Sequence, residues 1–311
     1  MRSLHRALAT VLATGRCAVA IPSIATALLA MPTTARGGLL FELNGNGTLG
    51  EYTTSGATVN PALITGLNFP LGIAVSGSDL FVANEGNGTI GKYTTSGATV
   101  STSLIGALNQ PVGVAVSGPG LFVANSGSGT IGEYTTSGAT VNASLITGLS
   151  LPTGIAVSGS NLFVVNEVSA QAAIGTIGEY TTSGITVNSA LVSGLNAPVA
   201  IAVSGSNLFV ANLRGGTIGE YTTSGATVNA SLITGLINPV GIAAFESDLF
   251  VANVNGTIGE YTTSGVAVNP SLISGLGSGP WGIAVVPEPG TGLLVMVGVM
   301  GLAGVRGRRR F

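Results

Sequence analysis

The stretch LFVANEGNGTIGKYTTSGATVSTSLIGALNQPVGVAVSG, Leu80 to Gly118, recurs with small changes from about Leu40 to Val286. A proline precedes the GIAV-like run in each copy, and these prolines are separated by 41, 41, 46, 41 and 41 residues. They are Pro70, Pro111, Pro152, Pro198, Pro239 and Pro280. Six copies at a nearly fixed period indicate a repeat architecture.

Each copy predicts four short β-strands. GIAVSG is an apolar run between Pro-x-Gly and Ser-Gly, and LFVAN is rich in β-branched and aromatic residues. TIGEYTT follows a Gly/Asn turn, and ATVNxSLITGL follows Ser-Gly. Strands of this size between regularly spaced turn residues are typical of all-β proteins, and helical periodicity is absent. Four strands in roughly 40 residues correspond to one blade of a β-propeller.

The two ends of the array complement each other. The first copy begins at Leu40 without a GIAV strand of its own, and the last copy ends with such a strand, Gly282 to Val285. Pairing of these ends completes six blades and leaves no open edge. An open solenoid would instead need distinct capping repeats. We therefore predict an all-β, closed six-bladed β-propeller of four-stranded blades over residues 37–286.

Charge and reactive side chains exclude several functions. The array contains two basic residues, Lys92 and Arg214, and eleven acidic ones, so its net charge is 2 − 11 = −9. Nucleic-acid binding needs clustered Lys and Arg and is excluded. The only histidine and cysteine of the chain, His5 and Cys17, precede the array. A Cys/His metal cluster or a Ser-His-Asp triad is therefore impossible there, and we predict no cofactor, no metal and no enzymatic activity.

Two polar positions recur once per blade. A glutamate follows the Gly of TIGEY in five copies, and we interpret it as a solvated strand position rather than a cation site. These residues are Glu51, Glu133, Glu179, Glu220 and Glu260, with Lys92 in the remaining copy. One carboxylate per blade is unsuited to general acid/base pairing. We expect the asparagine that ends LFVAN to bond to turn backbone, the alternative being a ring of ligand-binding amides.

The copies differ from one another mainly on one predicted face. Loops after LFVAN and before GIAV emerge on what we call the variable face, and the Ser-Gly-Ser and identical TTSG loops emerge on the TTSG face. The variable face carries the candidate binding residues Phe69, Glu85, Glu167, Arg214 and Trp281, and a longer loop from Asn166 to Gly175. Functional residues concentrate in variable loops on rigid frames. Neutral drift after duplication is the alternative explanation.

The termini are of a different kind. Residues 1–36 combine Arg2, His5 and Arg6 with an apolar stretch and small residues, as an export signal peptide does. Residues 287–311 contain Pro-Glu-Pro, an uncharged run from 290 to 305 and an arginine cluster. As a transmembrane helix that run would span roughly 24 Å, a little less than the bilayer core. The arginines place the C-terminus in the cytoplasm and the array outside.

This tail resembles the PEP-CTERM sorting signal of Gram-negative bacteria. The matching residues are Pro287, Glu288, Pro289, Arg306, Arg308, Arg309 and Arg310, on either side of one apolar span. The resemblance implies recognition by exosortase-type processing machinery, a transient stay in the inner membrane, and delivery to the cell surface or an extracellular matrix.

The repeat resembles the NHL-type propeller repeat through Pro-x-Gly-Ile-Ala-Val, Leu-Phe-Val-Ala-Asn, Gly-Thr-Ile and the Ser-Gly turn. Similar repeats occur in streptogramin lyases and gluconolactonase-like enzymes, which use acidic metal ligands and, in the lyase, a histidine. This array has no histidine and no irregular acidic cluster in one blade. We predict a non-enzymatic binding or structural module with polysaccharide or an envelope protein as partner. The alternatives are an enzyme of the lactonase or lyase type and an inert matrix scaffold.

Overall fold

A computed structural model describes residues 37–169, 174–277 and 279–287 and contains six four-stranded antiparallel sheets. The predicted export signal and transmembrane helix lie outside these residues. Blade 1 consists of β1 (Gly38–Asn44), β2 (Thr48–Thr53), β3 (Thr58–Ile64) and the C-terminal strand β24 (Pro280–Pro287). Blade 2 consists of β4 (Pro70–Ser76), β5 (Asp79–Asn84), β6 (Thr89–Thr94) and β7 (Thr99–Ile105), with a 3₁₀ turn at Glu85–Asn87.

The other four blades repeat the order of blade 2. Blade 3 consists of β8 (Pro111–Ser117), β9 (Gly120–Asn125), β10 (Thr130–Thr135) and β11 (Thr140–Ile146). Blade 4 consists of β12 (Pro152–Ser158), β13 (Asn161–Ser169), β14 (Ile174–Thr181) and β15 (Thr186–Asn196). Blade 5 consists of β16 (Pro198–Ser204), β17 (Asn207–Asn212), β18 (Thr217–Thr222) and β19 (Thr227–Ile233). Blade 6 consists of β20 (Pro239–Phe245), β21 (Asp248–Asn253), β22 (Thr257–Thr262) and β23 (Ala267–Ile273).

The ring closes through the strand that the sequence indicated. β24 pairs with β1 in antiparallel register, with Leu40 opposite Val285 and Gly38 opposite Pro287. The innermost strands β24, β4, β8, β12, β16 and β20 contact one another in that cyclic order. The six-bladed propeller is thus confirmed, and its last strand extends to Pro287, the first residue of Pro-Glu-Pro. Among the residues that the structure describes, the sheets and the core clusters lie within residues 38–287.

The glycine of Pro-x-Gly sets the distance between neighbouring inner strands. A Cβ on Gly72 would overlap the carbonyl oxygen of Val112 in the next blade. At the closing blade, a Cβ on Gly282 would lie 2.5 Å from the carbonyl oxygen of Leu71. At these two positions a side chain would require displacement of a strand, whereas blade 5 has Ala200 at the equivalent position.

Each interface between blades is a separate hydrophobic core. In LFVAN, successive side chains point to opposite faces of the sheet, as strand geometry requires. In blade 2, Leu80 and Val82 therefore pack against blade 1, whereas Phe81 and Ala83 pack against blade 3. Burial on both faces explains the continuous apolar run, which is unusual for an antiparallel strand with a solvated side.

The outer strands are built to resist pairing with other chains. The first five residues of β3 are exposed, and Asn60 bends the strand because its Oδ1 accepts a hydrogen bond from the Ala62 amide at 3.1 Å. The register between β2 and β3 shifts at this point. Bulges of this kind are a general protection of sheet edges.

Blade 4 differs from the prediction. The stretch from Asn166 to Gly175 is not a loop throughout, because β13 and β14 continue beyond the usual end and pair Glu167 with Gly175 and Ser169 with Ile174. The inserted residues therefore lengthen a β-hairpin on the variable face. The extension contains a register shift between Glu167 and Ser169, and its strand pairing satisfies backbone groups that an irregular loop would leave to solvent.

Candidate ligand-binding site

The TTSG face is uniform because its turns hold the fold together. In blade 1 the Ala57 amide donates a hydrogen bond to Thr53 Oγ1 at 3.0 Å, and the Thr53 amide donates to the Ala57 carbonyl at 2.8 Å. Gly56 has a φ of +87°, and a Cβ there would lie 2.7 Å from the Leu272 carbonyl oxygen of blade 6. The same turn recurs in every blade. Its constancy therefore has a structural cause.

The variable face carries a recurring backbone strain. The residue before each proline has a positive φ, and five of the six are not glycine. They are Phe69, Gln110, Leu151, Ala197 and Asn238, with Gly279 in the closing blade. Side chains disfavour this left-handed conformation. A backbone hydrogen bond holds this conformation: the carbonyl of the residue before the proline accepts from the amide of the residue that follows LFVAN. In blade 2 the Glu85 amide donates to the Phe69 carbonyl at 3.1 Å.

This strained ring presents apolar side chains to solvent. Phe69 is 51% exposed and Leu151 is 39% exposed. Ile237, two residues before its proline, is 57% exposed, and Val254, after LFVAN in blade 6, is 43% exposed. We call these four residues the apolar collar. Strained backbone and exposed apolar groups are both more frequent at ligand sites than elsewhere on a protein surface.

A cavity of about 470 Å³ lies on the axis of the propeller, and all six inner strands line it. The side chain that follows each proline belongs to the wall. These side chains are Leu71, Val112, Thr153, Val199, Val240 and Trp281. The glycine or alanine and the Ile or Val that come next complete the wall. Because only the first half of each inner strand takes part, the cavity occupies the half of the axis nearest the variable face.

The cavity opens between loops of blades 5 and 6. Leu213, Asn238 and Val254 extend its wall onto the variable face. Within residues 37–169, 174–277 and 279–287, no acidic, basic or histidine side chain lines it. The hydroxyl oxygen of Thr153 is buried and has no hydrogen-bond partner, so it is not presented to the cavity. The side chains of the interior are therefore mostly apolar, and backbone atoms together with the Asn238 amide supply its polar surface.

The structure distributes the predicted binding residues around the variable face. Phe69 and Glu85 are adjacent, joined by the backbone hydrogen bond described above, whereas Glu167 and Arg214 belong to blades 4 and 5. Trp281 is half-buried in the wall of the axial cavity rather than placed on the outer face. The wall residues Leu71, Val112 and Val240 were not predicted, because an apolar residue in an inner strand has the same pattern as a core residue.

Three of the five repeated glutamates, Glu51, Glu179 and Glu220, are buried, so the prediction of solvated positions is wrong for them. Glu133 and Glu260 are half-buried. Asn207 Nδ2 donates to Glu220 Oε1 at 2.7 Å, and Asn161 does the same for Glu179. Burial raises the pKa of Glu220, and the Asn207 hydrogen bond opposes this effect. The equivalent pair in blade 2 is a 2.9 Å ion pair between Lys92 and Asp79.

One buried carboxyl group has no counterpart in the other blades. Glu42 stands where the remaining copies have valine, and it is 1% exposed. It lies on the same side of β1 as Leu40, which packs against Phe250 and Ala252 of blade 6. Burial raises the pKa of Glu42 to about 7, and its Oε1 has no hydrogen-bond partner. The interface that closes the ring therefore contains a group that is destabilising when ionised.

Two features are absent from the part of the chain that the structure describes. In residues 37–169, 174–277 and 279–287, no three His, Cys, Asp or Glu side chains are grouped so that they could hold a metal ion. Over the same ranges, no helix has the length and hydropathy needed to cross a membrane.

Comparison with known proteins supports the two parts of the chain separately. Residues 285–310 match the PEP-CTERM protein-sorting motif. No curated protein sequence matches the chain. A structure of a nidogen/laminin complex has a chain with a TM-score of 0.70 and 16% identity, covering 80% of this chain and 98% of that one.

Two lyase structures are also similar in fold. A catalytically inactive virginiamycin B lyase from Staphylococcus aureus with quinupristin has a TM-score of 0.54 and 20% identity, over 79% of this chain and 78% of that one. A streptogramin B lyase has a TM-score of 0.54 and 19% identity, over 78% and 76%. At such identities the likeness concerns the fold alone. The chain is a six-bladed β-propeller that ends in a PEP-CTERM protein-sorting motif.

Proposed function

We propose that this protein is an exported, non-enzymatic binding module of the cell envelope or exopolysaccharide matrix, and that its ligand binds on the variable face. The observation that carries this proposal is the apolar collar, which is exposed on and beside the strained backbone around the mouth of the axial cavity. Pockets of about 300–1,000 Å³ with mostly apolar walls are typical of small-molecule sites. The uniformity of the TTSG face is one argument for an inert scaffold, but the turn hydrogen bonds of that face account for it.

The composition of the cavity wall supports binding rather than catalysis. General acid/base and nucleophilic reactions need a titratable or nucleophilic side chain within reach of the substrate. The wall contributes only aliphatic groups, Trp281, the amide of Asn238 and a hydroxyl group turned away from the cavity. The single histidine of the sequence, His5, lies in the predicted export signal. The likeness to lyases therefore extends to this chain as a fold and not as a set of reacting groups.

The sorting motif supports the proposed location. We infer that residues 1–36 direct export, that the run 290–305 crosses the inner membrane, and that exosortase-type machinery removes the tail. β24 runs from Pro280 on the variable face to Pro287 on the TTSG face, where Gly38 donates its amide to Thr54 Oγ1 at 3.1 Å. While the tail is anchored, the variable face therefore points away from the membrane.

Retention of exopolysaccharide from the producing bacterium tests this function. The purified protein is expected to retain it, with at least ~1 kcal/mol lost in Phe69→Ala and Arg214→Ala, as for central contacts of an interface. Thr136→Ala, on the TTSG face, is the matched control and should bind as the parent does. Equal losses from both faces in folded variants would refute the assignment of the face. Absence of retention would favour the scaffold.

A further inference from the structure

We propose that the axial cavity is a binding site for an uncharged alkyl chain of medium length, taken up as a free molecule through the mouth formed by Leu213 and Val254. This inference rests on the proposed binding role of the variable face and specifies the chemistry of one ligand. It is carried by the composition of the cavity, by its size and by the direction in which the polypeptide leaves the ring.

The side chains of the wall select against a charged ligand. Five of the six side chains after the prolines are aliphatic or aromatic, and the sixth, Thr153, has its hydroxyl oxygen buried away from the cavity. A charged ligand would lose its hydration there without a charged partner among the lining side chains. A hydrocarbon, in contrast, gains about 25 cal/mol for each Å² that it removes from water.

The size of the cavity fits a flexible chain. Three consecutive residues of each inner strand line it, such as 71–73 in β4, which gives a depth of roughly 7–10 Å at about 3.3 Å per strand residue. A volume of about 470 Å³ lies within the usual range of small-molecule sites. A hydrocarbon in it removes mostly apolar wall from water, which is favourable.

The mouth of the cavity is also lined by apolar side chains. Val254 at the rim is 43% exposed, and Ile237 in the neighbouring connection is 57% exposed. Both belong to the loops of blade 6 that flank Asn238, the one amide side chain of the wall. A ligand with a hydrocarbon body and a hydroxyl end can place the body on the axis and the hydroxyl group near this amide.

Two other occupants are disfavoured by the topology. The apolar run of the chain's own tail follows Pro287, which lies on the TTSG face, opposite the mouth. The membrane that would anchor this tail is likewise on the side away from the mouth. A free molecule in the surrounding medium is the occupant that can reach the variable face.

Trp281 makes the proposal directly testable, because it is the only tryptophan of the chain and lines the cavity. The experiment titrates the full-length protein with 12-bromododecan-1-ol, whose bromine quenches indole fluorescence on contact. Saturable quenching with one site is expected, and unbrominated dodecan-1-ol should reverse it. Quenching that rises linearly with concentration, without saturation, would overturn the proposal.

Variants that fill the cavity locate the site. Val112→Phe and Val199→Phe add volume on two different inner strands and should each weaken quenching at least about tenfold. Val100→Phe is the matched control, since Val100 is 55% exposed on the outer strand β7, and it should bind as the parent does. The melting temperature shows which variants are folded, and two filling variants keep the test valid if one does not fold. Unchanged quenching in a folded filling variant would overturn the proposal.

A parallel titration with vesicles of brominated phosphatidylcholine shows whether the alkyl chain that binds comes from a free molecule or from a lipid bilayer. Quenching by the free alcohol but not by the vesicles is expected. Quenching by vesicles alone would mean that the face docks on a bilayer and would refute uptake of a free ligand. Failure of the alcohol titration leaves the exopolysaccharide test of the proposed function unaffected, because that test uses surface residues outside the cavity wall.

Discussion

Replacement of Glu42 by valine, the residue of the other five copies, should stabilise the propeller in a pH-dependent manner. Burial raises the pKa of Glu42 from an ordinary value of 4.5 to about 7. One pH unit corresponds to about 1.4 kcal/mol, so ionised Glu42 costs the folded state about 3 kcal/mol. Because the pKa is raised on folding, the parent is most stable below pH 4.5 and loses this amount as the pH rises to about 7.

The assay is chemical denaturation followed by Trp281 fluorescence between pH 4 and pH 8. Burial also raises the pKa of Glu51, Glu220, Asp248 and Glu260, which adds pH dependence of the same sign. These groups are present in both proteins, so the difference between parent and Glu42→Val isolates Glu42. We expect this difference to grow by about 3 kcal/mol from pH 4.5 to pH 7.5 and then to remain constant.

A reciprocal variant provides the control. Val123→Glu places the same carboxyl group at the equivalent, fully buried position of blade 3 and should introduce the same loss of stability with rising pH. If the parent and Glu42→Val lose stability in parallel over the whole range, the carboxyl group is ionised at no cost in the folded state. The argument from burial would then be refuted.

Three further predictions concern other parts of the chain. Gly282→Val should lower the free energy of unfolding by about 1–3 kcal/mol, because the new side chain would overlap the carbonyl oxygen of Leu71. Gly277→Ala is the control: a Cβ there has no atom within 4 Å, so the free energy of unfolding should not change in the same denaturation assay. Asp248→Asn should raise the free energy of unfolding at pH 7 by up to about 1 kcal/mol. Besides burial, the negative charge of Asp248 raises the pKa of Glu260 by repulsion, and blades 4 and 5 have Asn at the position of Asp248. A loss of stability in this variant would contradict the repulsion between the two carboxylates. Alanine in place of residues 287–289 should leave the unprocessed protein in the inner membrane, as fractionation and mass measurement would show, and normal release would contradict the sorting assignment.

The fold was predictable because the same pattern of four short strands occurs six times in the sequence. The proline period gave the number of blades, and the incomplete copies at Leu40 and Gly282 indicated the closing strand, since an unpaired edge is unfavourable. The lengthened hairpin after Asn166 was missed because an insertion without turn residues at its ends can be paired or unpaired. Only the register of β13 with β14 distinguishes the two.

The candidate site was predictable only in part. Comparison of the copies identified the variable face and Trp281, but not the cavity. An apolar residue after the proline has the same pattern whether it faces a neighbouring blade or the axis, and the distance between inner strands decides which. Glu42, in contrast, was visible in the sequence as one acidic residue among five valines, and only its burial in the closing interface gives it physical meaning.

The pairing of the first strand with the last one has a consequence for biosynthesis. Gly38 and Pro287 are neighbours in the sheet although almost the whole propeller lies between them in the chain. Blades 2 to 6 are each contiguous, so they can form while the polypeptide is still being made. Blade 1 has only three strands and an unpaired edge until β24 has been synthesised. The contact between β1 and β24 joins residues far apart in the sequence, and contacts of this kind form late in folding. The Pro-Glu-Pro sequence of the sorting motif begins at Pro287, where β24 ends. A polypeptide that stops before this point therefore lacks both the strand that closes the ring and the motif that directs sorting.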